Sequence, residues 1–257
     1  MEKLEQQQQN STKTVGEVLS SSEFIKEAKE LTKAPLKYEY KYTCRECKEE
    51  KTISTDRSYL EWQLPKFCPT CAKIRQEKEI NSQRIKRWTE ICPPLYLESD
   101  RNLLPDESAR IAYDKIQDYI FTEKGLVVHG LTRRGKTRAV WQRMKKGFMA
   151  TGLEPKFSFG GMFSLNISES FEQHETTALV KSFGTAPIVF FDDIGQMIFT
   201  ERVQECLFTI LEMRCAYLRP TVFTMNDIGD TLKAKFSGNR GEAFVSRLKE
   251  FCEIIKF

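Results

Sequence analysis

The chain has 257 residues, enough for one substantial core and a small appended domain. Its 40 Lys and Arg against 36 Asp and Glu leave a net charge of +4, which permits a nucleic-acid partner without naming one. No run approaches the length of a membrane span and Met1 to Asn10 lacks the apolar core of a signal peptide. The expectation is therefore a cytoplasmic protein, with no membrane partner, whose eight cysteines serve as thiols or metal ligands rather than disulfides.

Residues 1 to about 14 are polar and glutamine-rich and read as a disordered tail. Val15, Val18, Leu19, Ile25, Ala28 and Leu31 follow at helical intervals. They predict a short amphipathic helix, within a segment ending near residue 35, that docks on its own domain or on a partner.

From 36 to 90 the pattern changes to cysteine pairs between short β-like runs, then a charged helix from about Ala72 to Trp88. Cys44 and Cys47 form one C-x2-C pair, Cys68 and Cys71 another, with twenty residues between the pairs. Each pair suits a tight knuckle that turns two sulfurs toward one point, and two knuckles complete a tetrahedral, closed, structural zinc site. An iron–sulfur cluster is the alternative metal. Because the segment has few large apolar side chains, zinc would supply roughly 10 to 16 kcal/mol toward its folding. Lys37, Tyr38, Tyr40, Lys41, Tyr42, Arg45, Lys48, Lys51, Trp62 and Lys66 interleave aromatic and basic types. This is either a surface for single-stranded nucleic acid or the small core and solvated lysines of a zinc ribbon. Cys92, Cys206, Cys215 and Cys252 fall on or beside predicted core elements as packing residues.

Cys92-Pro93-Pro94 breaks the helix and opens a main domain over 91–257. It reads as a helix at 106–122, strands at 126–129, 156–159, 187–191 and 221–224, helices from 138, at 201–217 and at 242–251, and a terminal run at 253–257. The strands are continuous apolar runs alternating with helices, which predicts an α/β fold with a parallel sheet covered on both faces.

Between the first strand of that domain and its helix stands Gly130-Leu131-Thr132-Arg133-Arg134-Gly135-Lys136-Thr137, a complete G-x-x-x-x-G-K-[ST]. Its glycines let backbone N–H groups converge on an anion, and the helix N-terminus adds partial positive charge. Lys136 would reach the β- and γ-phosphates of ATP, and Thr137 would ligate magnesium. Ile188-Val-Phe-Phe ends in Asp192 and Asp193: the first is placed to organise the magnesium, the second to polarise an attacking water. Pro220 to Asp227 is another apolar strand ending in a polar cluster, where Asn226 either faces the γ-phosphate or forms a turn with Asp227. His129 reads as a packed neighbour of the loop, and His174 stands alone. On the final helix Phe244, Val245, Leu248, Phe251 and Cys252 share one face and Arg247 projects about 100° from its centre, free for solvent, a neighbour, Glu242 or Glu250.

Gly130 to Thr137, Phe191-Asp-Asp-Ile-Gly195, Arg219 to Asn226 and Ser246-Arg247-Leu248 together resemble the AAA+ ATPases of the DnaC and DnaI helicase-loader type, relatives of DnaA, over roughly residues 91–257. The resemblance implies Walker A contacts from Lys136 and Thr137, a Walker B pair at Asp192 and Asp193, sensor 1 at Asn226, and an arginine finger at Arg247, with Arg240 next in line. It also implies ATP and magnesium as cofactors, a replicative helicase and single-stranded DNA as partners, and ATP-dependent self-assembly. DnaI-like loaders carry a similar N-terminal zinc module that engages the helicase. Arg133 stands where the family usually has glycine and Asp193 where it usually has glutamate, and either is expected to slow hydrolysis. The chain stops after its last core strand, so the C-terminal lid is expected to be absent. Competing readings are a nucleotide-gated adaptor without hydrolysis, a transposase-helper ATPase of the IstB type, and a small-molecule P-loop kinase.

Overall fold

A computed structural model describes residues 38–226 and 228–257. The tail and amphipathic helix expected over 1–35, together with Lys37 and Asp227, lie outside the described residues. The chain divides into two compact units, one ending at Lys78 and one beginning at Glu79.

The first unit is a hairpin of β1 (Tyr38–Thr43) and β2 (Glu50–Thr55), paired antiparallel from Tyr38 opposite Thr55 to Thr43 opposite Glu50. A 3-10 turn follows at Glu61–Gln63 and then helix α1 (Pro69–Ile91), whose first half lies in this unit. Its buried side chains among the described residues are Cys44, Cys68 and Cys71, with Phe67 packed against them. Among its described residues this unit has almost no apolar core.

The second unit contains helix α2 (Glu107–Asp118), β3 (Gly125–His129), α3 (Lys136–Thr151), β4 (Pro155–Phe159), α4 (Gly160–Glu172), α5 (Thr176–Thr185) and β5 (Ile188–Asp192). After these come α6 (Glu201–Ala216), β6 (Thr221–Met225), the short α7 (Asp230–Lys233), α8 (Arg240–Phe251) and β7 (Cys252–Lys256). Its five strands are all parallel, in the order β4-β5-β6-β3-β7. The strands read as unbroken apolar runs because both faces are buried. Leu126, Val128, Phe190 and Val222 point to one side, against Ile116, Trp141 and Met144. Val127, Val189, Phe191 and Phe223 point to the other, against Phe163, Leu207 and Phe244. The last turns of α1 belong to the first of these layers, with the Trp88 ring 5.6 Å from that of Trp141.

Helices α4 and α5 have no counterpart in the sequence reading. Helix α4 begins Gly160-Gly161 and carries three serines and an asparagine, weak helix formers that hide its period. Close packing fixes Gly160: a Cβ there would sit 2.4 Å from the Asp193 carbonyl oxygen. At the opposite edge of the sheet Arg214 is completely buried, with no carboxylate partner among the described residues. Its guanidinium donates to Thr221 Oγ1 (2.7 Å) and to the carbonyls of Phe183 (2.8 Å), Ala186 (2.7 Å) and Pro220 (2.6 Å), joining α5, α6 and β6.

Candidate functional sites

Strands β5, β6 and β3 are neighbours, so their C-terminal ends deliver the glycine loop of residues 130–137, Asp192 and Asn226 to one edge, where ligands bind in such sheets. Gly130 has φ +140° and Gly135 φ +104°, and a Cβ would lie 2.3 Å from the Phe257 carbonyl oxygen or 2.6 Å from Leu104 Cδ2. Both positions therefore require glycine. Arg133 adopts φ +60°, a conformation that costs a residue with a Cβ about 1 kcal/mol or more, which gives the physical reason a glycine suits that place better. Leu131 and Thr132 are exposed on the loop.

Lys136 is buried, and its ammonium donates to Gly130 O (2.8 Å), Leu131 O (2.7 Å) and Asn226 Oδ1 (2.9 Å), using all three of its donors. Burial pulls its pKa below the usual lysine value, opposed by Asp193 and Asp192. Thr137 Oγ1 donates to Asp192 Oδ1 (2.7 Å), and Thr224 Oγ1 donates to the same oxygen (2.5 Å). Burial pushes the Asp192 carboxyl up, and the two hydroxyls pull it back toward ionisation. Asp193 has φ +49°; its N–H donates to Thr224 Oγ1 (2.8 Å), and its Oδ1 is buried with no hydrogen-bond partner. Lys136 with Asn226 and Thr137 with Asp192 thus form two hydrogen-bonded pairs at one sheet edge, with Asp193 next along the chain. The hydroxyl and carboxylate oxygens of Thr137 and Asp192 are the hard donors that magnesium takes.

Arg134 belongs to the same loop but turns to the start of α2, donating to Asp106 Oδ1 (2.7 Å) and Ser108 Oγ (2.7 Å). Asp106 also accepts from Ala109 N (2.9 Å) as the helix cap, and the Ser108 hydroxyl, the Ala109 amide and Arg134 hold its carboxyl down at about 2. Arg247 stands apart from this group: its Nε donates to Glu212 Oε1 (2.6 Å) and its Nη1 to Glu250 Oε2 (3.2 Å). Arg240 pairs with Glu205 (3.0 Å). His129 is half-buried and held below the usual histidine value by burial, then by Lys256 and Lys136.

Sequence reading passes over one part of the site. A cavity of about 590 Å³ adjoins the loop, walled by Leu95, Tyr96, Leu103, Leu104 and Pro105 on one side and by Arg133 to Arg138 on the other. Tyr96 stacks on Trp141 at 6.4 Å between ring centres, and Gln142 Nε2 donates to the carbonyls of Tyr96 (3.1 Å) and Leu97 (3.3 Å). No motif marks residues 94–105; the signal available was the apolar cluster following Pro93-Pro94.

In the first unit, the sulfurs of Cys44, Cys47, Cys68 and Cys71 all lie within 4.8 Å of one another. Zinc–sulfur bonds of about 2.3 Å give a tetrahedron with edges of roughly 3.8 Å, and Cys47 and Cys68 are already 4.0 Å apart. The Cys68 amide donates to Cys44 Sγ (3.3 Å) and the Cys71 amide to Cys68 Sγ (3.4 Å). The first of these pulls the Cys44 thiol down to about 6, toward the thiolate a metal requires. The donor set fits zinc.

No known family model matches the chain, and no curated protein is similar to it in sequence. Solved structures are similar in fold. The crystal structure of the DnaC helicase loader superposes with a TM-score of 0.53 at 19% identity, covering 64% of this chain and 99% of the loader. The replication initiator DnaA bound to AMPPCP and single-stranded DNA gives 0.51 at 15%, covering 64% of this chain and 50% of the initiator. Domain III of Thermotoga maritima DnaA gives 0.51 at 17%, covering 64% and 68%. The second unit therefore has the AAA+ fold of helicase loaders and initiators, as the phosphate loop and the apolar strands lead one to expect. Among the described residues no helix is long and apolar enough to cross a membrane.

Proposed function

We propose that this chain is a nucleotide-binding DNA replication factor that uses ATP to load or remodel a replicative helicase on single-stranded DNA. The observation that carries the nucleotide half is the pairing of Lys136 with Asn226 and of Thr137 with Asp192, where Lys136 and Thr137 also line the 590 Å³ cavity. In this reading the loop amides and Lys136 hold the β- and γ-phosphates, Thr137 and Asp192 hold magnesium, and the base lies against Tyr96, Leu103 and Leu104. Magnesium, when bound, neutralises charge on the phosphate oxygens. Lys136 must exchange its carbonyl and Asn226 acceptors for phosphate oxygens, so filling the site also frees Asn226 to orient a water. Asp193, with one carboxylate oxygen already out of water and unpaired, is the group to polarise that water.

Support for the replication half is the fold shared with the DnaC loader and DnaA, the latter solved with a nucleotide analogue and single-stranded DNA. In this reading the zinc module and linker helix of residues 36–90 engage the partner, and residues 91–257 bind nucleotide. Affinity capture from the native host tests it: a hexameric helicase is retained with ATP by the wild type and lost by Lys136→Ala. Recovery of no helicase under either condition would remove the loader reading, and recovery of a transposase would replace it.

Hydrolysis is assigned to an interface between copies, with Arg247 serving the neighbour's nucleotide. Assembly then has to exchange Glu212 and Glu250 for phosphate. Arg247→Ala is expected to bind ATP like the wild type and to lose assembly-dependent turnover by about 10³- to 10⁵-fold. Full turnover in that variant takes Arg247 out of the mechanism. The ion pairs of Arg247 and the left-handed backbone at Arg133 favour one competitor, a nucleotide-gated adaptor without hydrolysis. Turnover measured with single-stranded DNA and helicase present separates the two.

A further inference from the structure

Of the three tryptophans, Trp88 and Trp141 are buried, whereas Trp62 is 75% exposed. A tryptophan carries a large apolar surface, and a unit whose buried side chains among the described residues are three cysteines has every reason to cover it. Trp62 is therefore not the small core of a zinc ribbon, one of the two readings its sequence allows. It lines a groove of about 680 Å³ between the end of β1 and residues 61–66. Tyr42, Leu64 and Pro65 supply further apolar wall, and Lys41, Arg45 and Lys66 supply positive charge. Two carboxylates also line it, Glu50 and Glu61; Glu50 pairs with Lys41 at 3.7 Å. No carboxylate among the described residues pairs with Arg45 or Lys66. The Arg45 amide donates to the Lys66 carbonyl (3.0 Å), which holds the two backbones together at the groove.

We infer that this groove binds single-stranded nucleic acid, with a base stacked on Trp62 and phosphates held by Arg45 and Lys66. An open indole face beside unpaired cations meets the two needs of an unpaired strand, a surface for its bases and a counter-charge for its backbone. A duplex keeps its base faces covered. An acidic peptide would satisfy the cations and leave the indole without a flat partner. The inference deepens the reading above by giving the single strand a seat, and it uses no residue of the nucleotide site.

The test is a titration of the full-length, zinc-loaded protein with oligothymidylate, followed by tryptophan fluorescence. With Trp88 and Trp141 buried, stacking on Trp62 appears as a saturable quench. Trp62→Ala should raise the Kd, followed by anisotropy of a labelled strand, about 5- to 150-fold, the range for one stacked base, and Trp62→Phe should keep most of the affinity. Replacing Arg45 and Lys66 together by Ala should flatten the dependence of log K on log salt by about 1.4, for two phosphates on a single strand. Zinc content equal to the wild type shows that each variant keeps its module. Unquenched fluorescence, or wild-type affinity in Trp62→Ala, overturns the assignment. So does polyglutamate that quenches Trp62 and displaces the strand, which would make the groove a seat for acidic peptide. Lys136→Ala separates the two readings: an intact quench with lost ATP binding supports the groove alone, and ATP turnover without any quench supports the nucleotide site alone.

Discussion

In the unit that ends at Lys78, Cys44, Cys68 and Cys71 are the buried side chains among the described residues, whereas the unit from Glu79 packs apolar layers on both faces of five strands. One has sulfurs converging on a point, and the other has Phe191 stacked on Phe223 with ring centres 5.5 Å apart. With so little apolar interior among the described residues, a metal held by the four sulfurs would take the place of a core. What the comparison teaches is that the two units should fail independently, for different reasons, and that exposure of a large apolar side chain means different things in each. In the sheet-containing unit single exposed apolar residues are ordinary. In the metal unit an exposed Trp62 is a surface in use.

The strongest way to break the comparison is to remove the metal. Chelation, or Cys44→Ser, withdraws binding energy of about 10 to 16 kcal/mol from the first unit and should unfold it. The near-ultraviolet signal of Trp88 and Trp141 should be unchanged. Purified protein should carry one zinc per chain; metal analysis showing none, in protein never exposed to chelators, would end the zinc reading.

The second unit has a corresponding weak point at Arg214. Arg214→Met leaves the Thr221 hydroxyl and the carbonyls of Phe183, Ala186 and Pro220 without their buried donor. At about 1 to 3 kcal/mol for each unsatisfied buried group, offset in part by the apolar side chain, a loss of about 3 kcal/mol or more is expected, with zinc content unaffected. An unfolding free energy, from denaturant titration, within about 1 kcal/mol of the wild type would show that water replaces the guanidinium.

Lys136→Ala sharpens the contrast between stability and function inside the second unit. The acceptors that Lys136 leaves, Gly130 O, Leu131 O and Asn226 Oδ1, belong to residues that are not buried and can turn to water, so the fold should change by less than about 1 kcal/mol. Nucleotide affinity should fall at least about 10- to 150-fold, the range for a hydrogen bond to a charged group. Calorimetric affinity equal to the wild type would dismiss the phosphate-loop assignment.

The smallest effect concerns pH. The Asp106 carboxyl lies at about 2 in the folded protein, below its ordinary value near 3.8, so its stabilisation is present above pH 4 and disappears as pH falls through 2. Asp106→Asn should therefore be less stable than the wild type at neutral pH, and the gap between their urea midpoints should close between pH 4 and pH 2. A gap that persists at pH 2 would assign the effect to the cap's shape rather than its charge.

Local chemistry made much of this molecule legible in its residues. A loop that cradles phosphate needs glycines where φ is positive or a neighbour's backbone is close, and that need is written in eight consecutive residues from Gly130. Strands buried on both faces must be continuous apolar runs, so those read at 126–129, 187–191 and 221–224 declare themselves and lie within a residue of the observed strands. Two C-x2-C pairs announce a shared ion. Helices α4 and α5 were not legible, because their stability comes from Phe163, Ile167 and Phe183 packing on the sheet rather than from propensity or a clean period.

By itself, then, the sequence determined an α/β domain with a complete G-x-x-x-x-G-K-[ST] loop behind a four-cysteine module, since each rests on residues close together along the chain. Tertiary structure alone decided that Lys136 bonds to Asn226, ninety residues away, and that Arg247 pairs with Glu212 on another helix. It also placed Tyr96 and Leu104 beside the loop and left Trp62 in solvent. Those choices depend on strand order and on which surfaces compete for burial, quantities that no short stretch of residues contains.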